Sequence, residues 1–329
     1  MPRFETRGVD AVLAERPGLQ RVSLDGGGRA YVLTDLIGPV APGDRVVVNT
    51  TAVDLDLGTG GWHVVHWNLS RQEWSAPGGG LILKLRYTSS QTDTGVAEEA
   101  GEPERTSLDG MPVVVCDLHS QVACVAEGFA GEAPGRRLVF VMTDSAALPL
   151  ALSDLVAALC HRGRLAATVT CGQAFGGDVE AVNVVSGLLV AAAGADALVV
   201  GPGPGVVGTR TRFGFSGLEA AAVIDAAARR GGVPVVAVRW SEADARPGHR
   251  GLSHHTATVL SEAAATALVA VPAGEALDPG HHQAVEVAMG DLDHGDVTTM
   301  GRGAGQDPAF FRWSAAAGVL AGRLVSGAG

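Results

Sequence analysis

The sequence predicts an α/β protein: a mainly parallel sheet flanked by helices in a Rossmann-like three-layer arrangement, preceded by a small all-β domain. Two observations carry this. From Met111 onward, short apolar runs alternate with helix-like segments, the rhythm of parallel strands with crossover helices. Before that, runs rich in Val, Leu and Tyr are separated by turn chemistry such as Asp25-Gly26-Gly27-Gly28 and Pro42-Gly43-Asp44, which suits hairpins or a small barrel. The expected division is 1–80 for the β domain and 81–329 for the α/β domain.

In the first part, strands are expected at residues 9–13, 29–33, 45–49 and 63–67, and a further strand-like run follows at 81–88. Residues 91–110 hold Glu98, Glu99, Glu102 and Glu104 with Gly and Pro and almost nothing apolar, so they read as a mobile acidic loop. The later strands are expected at 113–116, 138–142, 167–170, 197–200, 233–238 and 267–271. The run 233–238 is apolar throughout, as in a sheet covered on both faces. Ser216-Gly217-Leu218-Glu219 reads as a capping box for a helix ending at Gly231-Gly232. Asp178 reads as the cap of a helix ending near Gly194, with Glu180 and Asn183 sharing one of its faces. Asp307-Pro308 opens a last helix.

Composition narrows the chemistry. Net charge is −11 and basic residues come in ones and twos, which argues against nucleic acid as main partner. Lys84 is the single lysine, so Schiff-base mechanisms have little to draw on. The excess of arginine over lysine suits a GC-rich genome. No apolar signal segment, no run long enough to span a bilayer and no CxxC pair among Cys116, Cys124, Cys160 and Cys171 is visible. The expectation is a cytoplasmic protein without membrane contact, able to self-associate.

Ligands of open parallel sheets bind beyond the carboxyl ends of the strands, and there the sequence places its most reactive side chains. Gly203, Gly205 and Gly208 form GxGxxG after a strand. The helix starts late and no acidic residue follows at the ribose-binding distance. The loop therefore reads either as a tight connection or as an anion site, with Arg210 and Arg212 beside its amides. Gly176 and Gly177 would let a ligand approach backbone, and Asp178 is either a cap or a working carboxylate. Cys171 precedes that loop as a nucleophile or a structural thiol. The densest signal is His249-Arg250-Gly251-Leu252-Ser253-His254-His255. Imidazoles ligate metals or move protons near neutral pH. Adjacent His254 and His255 are expected to point apart, with at most one facing the site. Asp117, His119 and Asp144, each just past a strand, are the candidate partners. A mixed imidazole–carboxylate set from Asp117, His119, Asp144, His249 and His254 would suit zinc, manganese or iron.

Several segments together resemble the bacterial family grouped as domain of unknown function 3866. They are residues 42–53, 57–61, 83–88, 144–155, 170–183, 201–217 and 250–256. That resemblance implies no activity. Residues 249–254 are also similar to the HRG-x-[ST]-H stretch of membrane-embedded metal-dependent hydrolases. The reading is then a metal-assisted hydrolase or transferase for a small anionic substrate. His254, His255, Asp144, Asp178 and Cys171 would supply its catalytic groups. A non-catalytic sensor of a small anion or nucleotide and a structural assembly subunit are the alternatives.

Overall fold

A computed structural model describes residues 1–327. The chain divides into two units, Met1–Thr94 and Gly95–Gly329. Among the described residues no helix is long and apolar enough to cross a membrane.

The first unit is a closed barrel of β1 (Phe4–Arg16), β2 (Leu19–Leu24), β3 (Arg29–Leu33), β4 (Arg45–Asn49) and β5 (Trp62–Asn68), in the order β1-β2-β3-β5-β4. Strand β1 closes it. Its first half pairs with β4 and its second half with β2, with register shifts after Val9 and Val12. Such bulges let a strand bend round a corner. Strands β3 and β5 are parallel. Alternation puts Val22, Leu24, Ala30, Val32, Val46, Val48 and Val65 inside. Strand β2 is not among the strands expected from the sequence, and it buries a polar side chain, Gln20. Gln20 is buried; it accepts from the Val40 N–H at 2.8 Å and donates to Glu15 at 2.9 Å. The strand expected at 81–88 shrinks to Leu83–Lys84, paired with Thr92–Asp93. Leu85 and Tyr87 take φ of 53° and 60°, which ends extended pairing.

The second unit contains eight parallel strands: β6 (Pro112–Val115), β7 (Leu138–Thr143), β8 (Ala167–Cys171), β9 (Val179–Ala181), β10 (Ala197–Pro202), β11 (Val233–Val236), β12 (Leu268–Pro272) and β13 (Gln283–Val287). Its helices are α1 (Gln121–Glu132), α2 (Asp154–His161), α3 (Val184–Ala192), α4 (Glu219–Arg229), α5 (His254–Glu262) and α6 (Pro308–Ser326). The spatial order is β9-β8-β7-β10-β6-β11-β12-β13. Strand β10 is inserted between β7 and β6, which differs from the Rossmann order 3-2-1-4-5-6. Three layers are present. Val113 and Val115 pack with α3, α4 and α5, while Val114 and Cys116 pack with α1, α2 and α6. Helices α1 and α6 interlock through glycine: a Cβ at Gly318 would lie 2.0 Å from the Val125 carbonyl.

Three local expectations are corrected. Asn183, not Asp178, caps α3, accepting from the Ser186 N–H at 3.1 Å. Glu180 lies on β9 rather than on that helix. The capping box at Ser216 does not form. A 3-10 turn precedes α4, and Ser216 Oγ accepts from the Val207 N–H at 3.2 Å. The acidic stretch before β6 is tied down at several points: Glu98 accepts from the Val182 N–H at 2.9 Å, and the buried Leu108 donates to the Arg230 carbonyl at 2.8 Å.

Candidate functional site

Strand β11 ends between β6 and β12, and the chain then turns into a short hairpin of Trp240–Ser241 with Gly251–Leu252. Trp240 stacks on Trp313 of α6 at 4.6 Å, which anchors the hairpin. The excursion between its arms carries Asp244, Arg246 and a 3-10 turn, Pro247–His249. Ser253 then caps α5. Its Oγ accepts from the His255 N–H at 3.2 Å and contacts His249 Nδ1 at 2.8 Å. One hydroxyl thus fixes both the helix start and the first imidazole.

His249, His254 and His255 come together, with ligand atoms all within 4.8 Å of one another. The expectation that only one of the last two faces the site is corrected. A step of about 100° per residue still leaves adjacent rings in touch on a first helical turn. Their centroids are 4.3 Å apart, and His249 lies 4.7 Å and 4.8 Å from them. Phe215 stacks flat on His255 at 3.8 Å. Burial, reinforced by the Arg239 charge, lowers the pKa of His249 to about 4 and of His255 to about 3, and also lowers that of His254. All three are therefore neutral at pH 7, the form that ligates metals or accepts protons.

The imidazoles open onto a cleft of about 1390 Å³ whose other walls include Gly208, Arg210, Arg212, Arg239 and Arg246. Among the described lining residues there is no carboxylate. The positive charge is partly balanced from behind. Buried Asp244 receives Arg246 at 2.7 Å, Arg302 at 3.3 Å and Arg239 at 3.9 Å, and this contact set, Arg246 foremost, holds its carboxyl well below the usual range. Arg212 pairs with Glu262 at 3.3 Å. Arg210 has no ion-pair partner among the described residues. Arg239 Nη1 lies 3.4 Å from His255 Nδ1.

The other sequence candidates lie elsewhere. Asp117 is buried behind α5, where Thr256 Oγ1 donates to its Oδ2 at 2.7 Å while Oδ1 has no partner; burial raises its pKa. His119 spends both ring nitrogens, on the Pro202 carbonyl at 2.8 Å and Ser153 Oγ at 2.7 Å, so neither is left for a metal. Asp144 accepts from the Gln173 N–H at 2.8 Å and holds the β8–β9 loop. Asp178 accepts from both the Thr168 N–H at 2.8 Å and its hydroxyl at 2.9 Å, clamping the start of β8. Cys171 is buried and faces α3, where a Cβ on Gly187 would touch its Sγ. The amides of Gly176 and Gly177 are taken by Glu180 at 2.7 Å and Thr170 Oγ1 at 3.1 Å. Gly203 serves a close approach, since its Cβ would lie 2.4 Å from the Ala147 carbonyl. Gly205 supplies a φ of 88°. Of the three glycines, Gly208 alone lines the cleft among the described residues, beside Val206, and a Cβ on it would sit 3.4 Å from His255. Arg239 and Arg246 were missed. Arg239 had a signal, a charge directly after the apolar strand β11.

A family model described as "Protein of unknown function (DUF3866)" matches residues 29–318. The chain belongs to the DUF3866 family. The DUF3866 match begins at β3 and includes His249, His254, His255 and every arginine of the cleft. No curated protein matches the chain.

Proposed function

We propose that the second unit is a metal-assisted hydrolase or transferase acting on a small anionic substrate. The convergence of three neutral imidazoles inside an arginine-lined cleft carries the reading. Three histidines are a known catalytic zinc set, with the fourth position left to water or substrate. Without a carboxylate the set favours zinc over manganese, which prefers oxygen ligands. Tetrahedral bonds of about 2.0–2.1 Å put ligand atoms roughly 3.4 Å apart, so the rings must lean inward from their present spacing. A bound zinc ion would polarise a substrate oxygen or its own water. The protein's share is to hold the anion: Arg210 and Arg246 offer planar donor pairs to a phosphate or carboxylate, and Asp244 keeps Arg246 in place.

A second reading, an anion sensor, has its own support. A guanidinium only donates hydrogen bonds, so the contact from Arg239 makes His255 Nδ1 the acceptor and leaves the proton on Nε2. In that tautomer His255 donates to an anion instead of ligating a metal.

Calorimetry with inorganic phosphate, in zinc-loaded and chelated protein, separates the two. The metal-assisted reading expects zinc to tighten phosphate binding and Arg210→Ala to weaken it in either state. Phosphate binding that zinc leaves unchanged favours the sensor. No phosphate binding in either state sinks both.

A further inference from the structure

The barrel unit carries a face of different chemistry. Strands β2, β3 and β5 alternate between core and surface, and the surface positions hold Arg21, Arg29, Tyr31, Trp62 and His66. No carboxylate occupies an outward position on these strands among the described residues. Tyr31 and Trp62 stack at 4.8 Å. The Arg21 guanidinium lies 5.6 Å from Tyr31 and 5.7 Å from Trp62, and that of Arg29 lies 4.5 Å from Trp62. Beside them, half-exposed Phe4 meets His66 edge-on at 5.4 Å. Phe4, Trp62 and His66 line a hollow of about 420 Å³ that also presents the polar groups of Asn49 and Thr51.

We propose that this face binds single-stranded nucleic acid. One base enters the hollow against Trp62 and Phe4, and Arg21 and Arg29 meet the phosphates on either side. Aromatic platforms flanked by cations suit this ligand, because every base has a π-face and every nucleotide a charge. The chain's net charge of −11 does not oppose it locally: residues 1–94 hold nine Arg and Lys against ten Asp and Glu, so nearly all the excess lies in the other unit. Small five-stranded barrels present this same β2–β3 face to oligonucleotides and oligosaccharides. Fold alone decides nothing; the arginine pair and the missing carboxylates favour the charged ligand.

The test is fluorescence anisotropy of labelled oligo-dT and oligo-U of roughly 12 nucleotides on the full chain, with chelator present to keep metal out of the histidine cleft and the Trp62 and arginine variants distinguishing the barrel face from that cleft. Binding is expected in low salt, and more weakly to a duplex of the same length. Trp62→Leu should weaken it at least about fivefold, with Trp62→Phe retaining most of it. The Arg21→Ala/Arg29→Ala double variant should reduce the slope of log affinity against log salt by about 1.4, or 0.7 per lost phosphate contact. Circular dichroism checks that each variant is folded. No anisotropy change at about 100 μM protein, the weak end of non-specific binding, overturns the proposal. So does wild-type affinity in a folded Trp62→Leu. If Trp62→Leu does not fold, the arginine double variant decides: an unchanged salt slope overturns it.

Discussion

Asp244→Asn tests how the cleft keeps its guanidiniums in place. The Asp244 side chain is 2% exposed and faces Arg239, itself 6% exposed, at 3.9 Å, together with Arg302 at 3.3 Å and Arg246 at 2.7 Å. Removing one partner of a buried ion pair costs about 3–5 kcal/mol, because the remaining charge is left uncompensated. The lower end applies here. Arg246 is 49% exposed and loses under about 1 kcal/mol, and Arg302 keeps Asp307 at 3.1 Å. A loss of about 3 kcal/mol in a unit of this size lowers Tm by roughly 6–12 °C. The sign with pH follows from the depressed pKa of Asp244. Its contribution is fully present above the unfolded value of about 3.9 and is lost as pH falls below it through the folded value. The gap between wild type and variant should therefore close in strong acid. Arg246, no longer held by Asp244, should also bind phosphate more weakly, by about tenfold, since a charge-assisted hydrogen bond contributes about 1.5–3 kcal/mol. Thermal melting by circular dichroism and phosphate calorimetry read the two effects. A Tm drop under about 2 °C, or phosphate binding as tight as wild type or tighter in a folded variant, refutes the reasoning.

Other perturbations give separate outcomes. Gly318→Ala places a methyl 2.0 Å from the Val125 carbonyl, which backbone cannot yield to cheaply; a loss of about 3 kcal/mol or more is expected in denaturant melts. His119→Ala strands Ser153 and the Pro202 carbonyl. It should cost about 1–3 kcal/mol while leaving zinc content unchanged, as elemental analysis would show. In metal-free protein His249 and His255 have folded pKa values of about 4 and about 3, below the unfolded value of about 6.5. The unfolded chain then takes up protons first, so Tm should fall as pH drops from about 6.5 towards 4. His255→Asn should flatten that decline.

Much of the fold was legible because strand periodicity is a local signal. The runs at residues 29–33 and 45–49 are strands with those same bounds, and every strand expected after Met111 is present to within two residues at either end. The losses have physical causes. Strand β2 buries a glutamine, and β9 is only three residues long. The site was half legible. A cluster of histidines in seven residues is visible in one dimension, and so is an arginine after an apolar strand. What a residue does with its hydrogen bonds is not. His119, Asp144 and Asp178 sit at strand ends like working groups, yet their polar atoms hold backbone and hydroxyls. Asp244 carries no signal of its own in the sequence, and its role appears only when Arg239, Arg246 and Arg302 converge on it.

The most direct test of the proposed metal centre is zinc stoichiometry. Chelated protein is equilibrated with a small excess of zinc, desalted and measured by elemental analysis, beside His249→Ala, His254→Ala and His255→Ala variants. The proposal predicts close to one zinc per chain in wild type. Loss of any one ligand should cut retention sharply, beyond the roughly 10–100-fold cost of losing a supporting residue. Zinc-free wild type, or equal zinc in all four proteins, would contradict it.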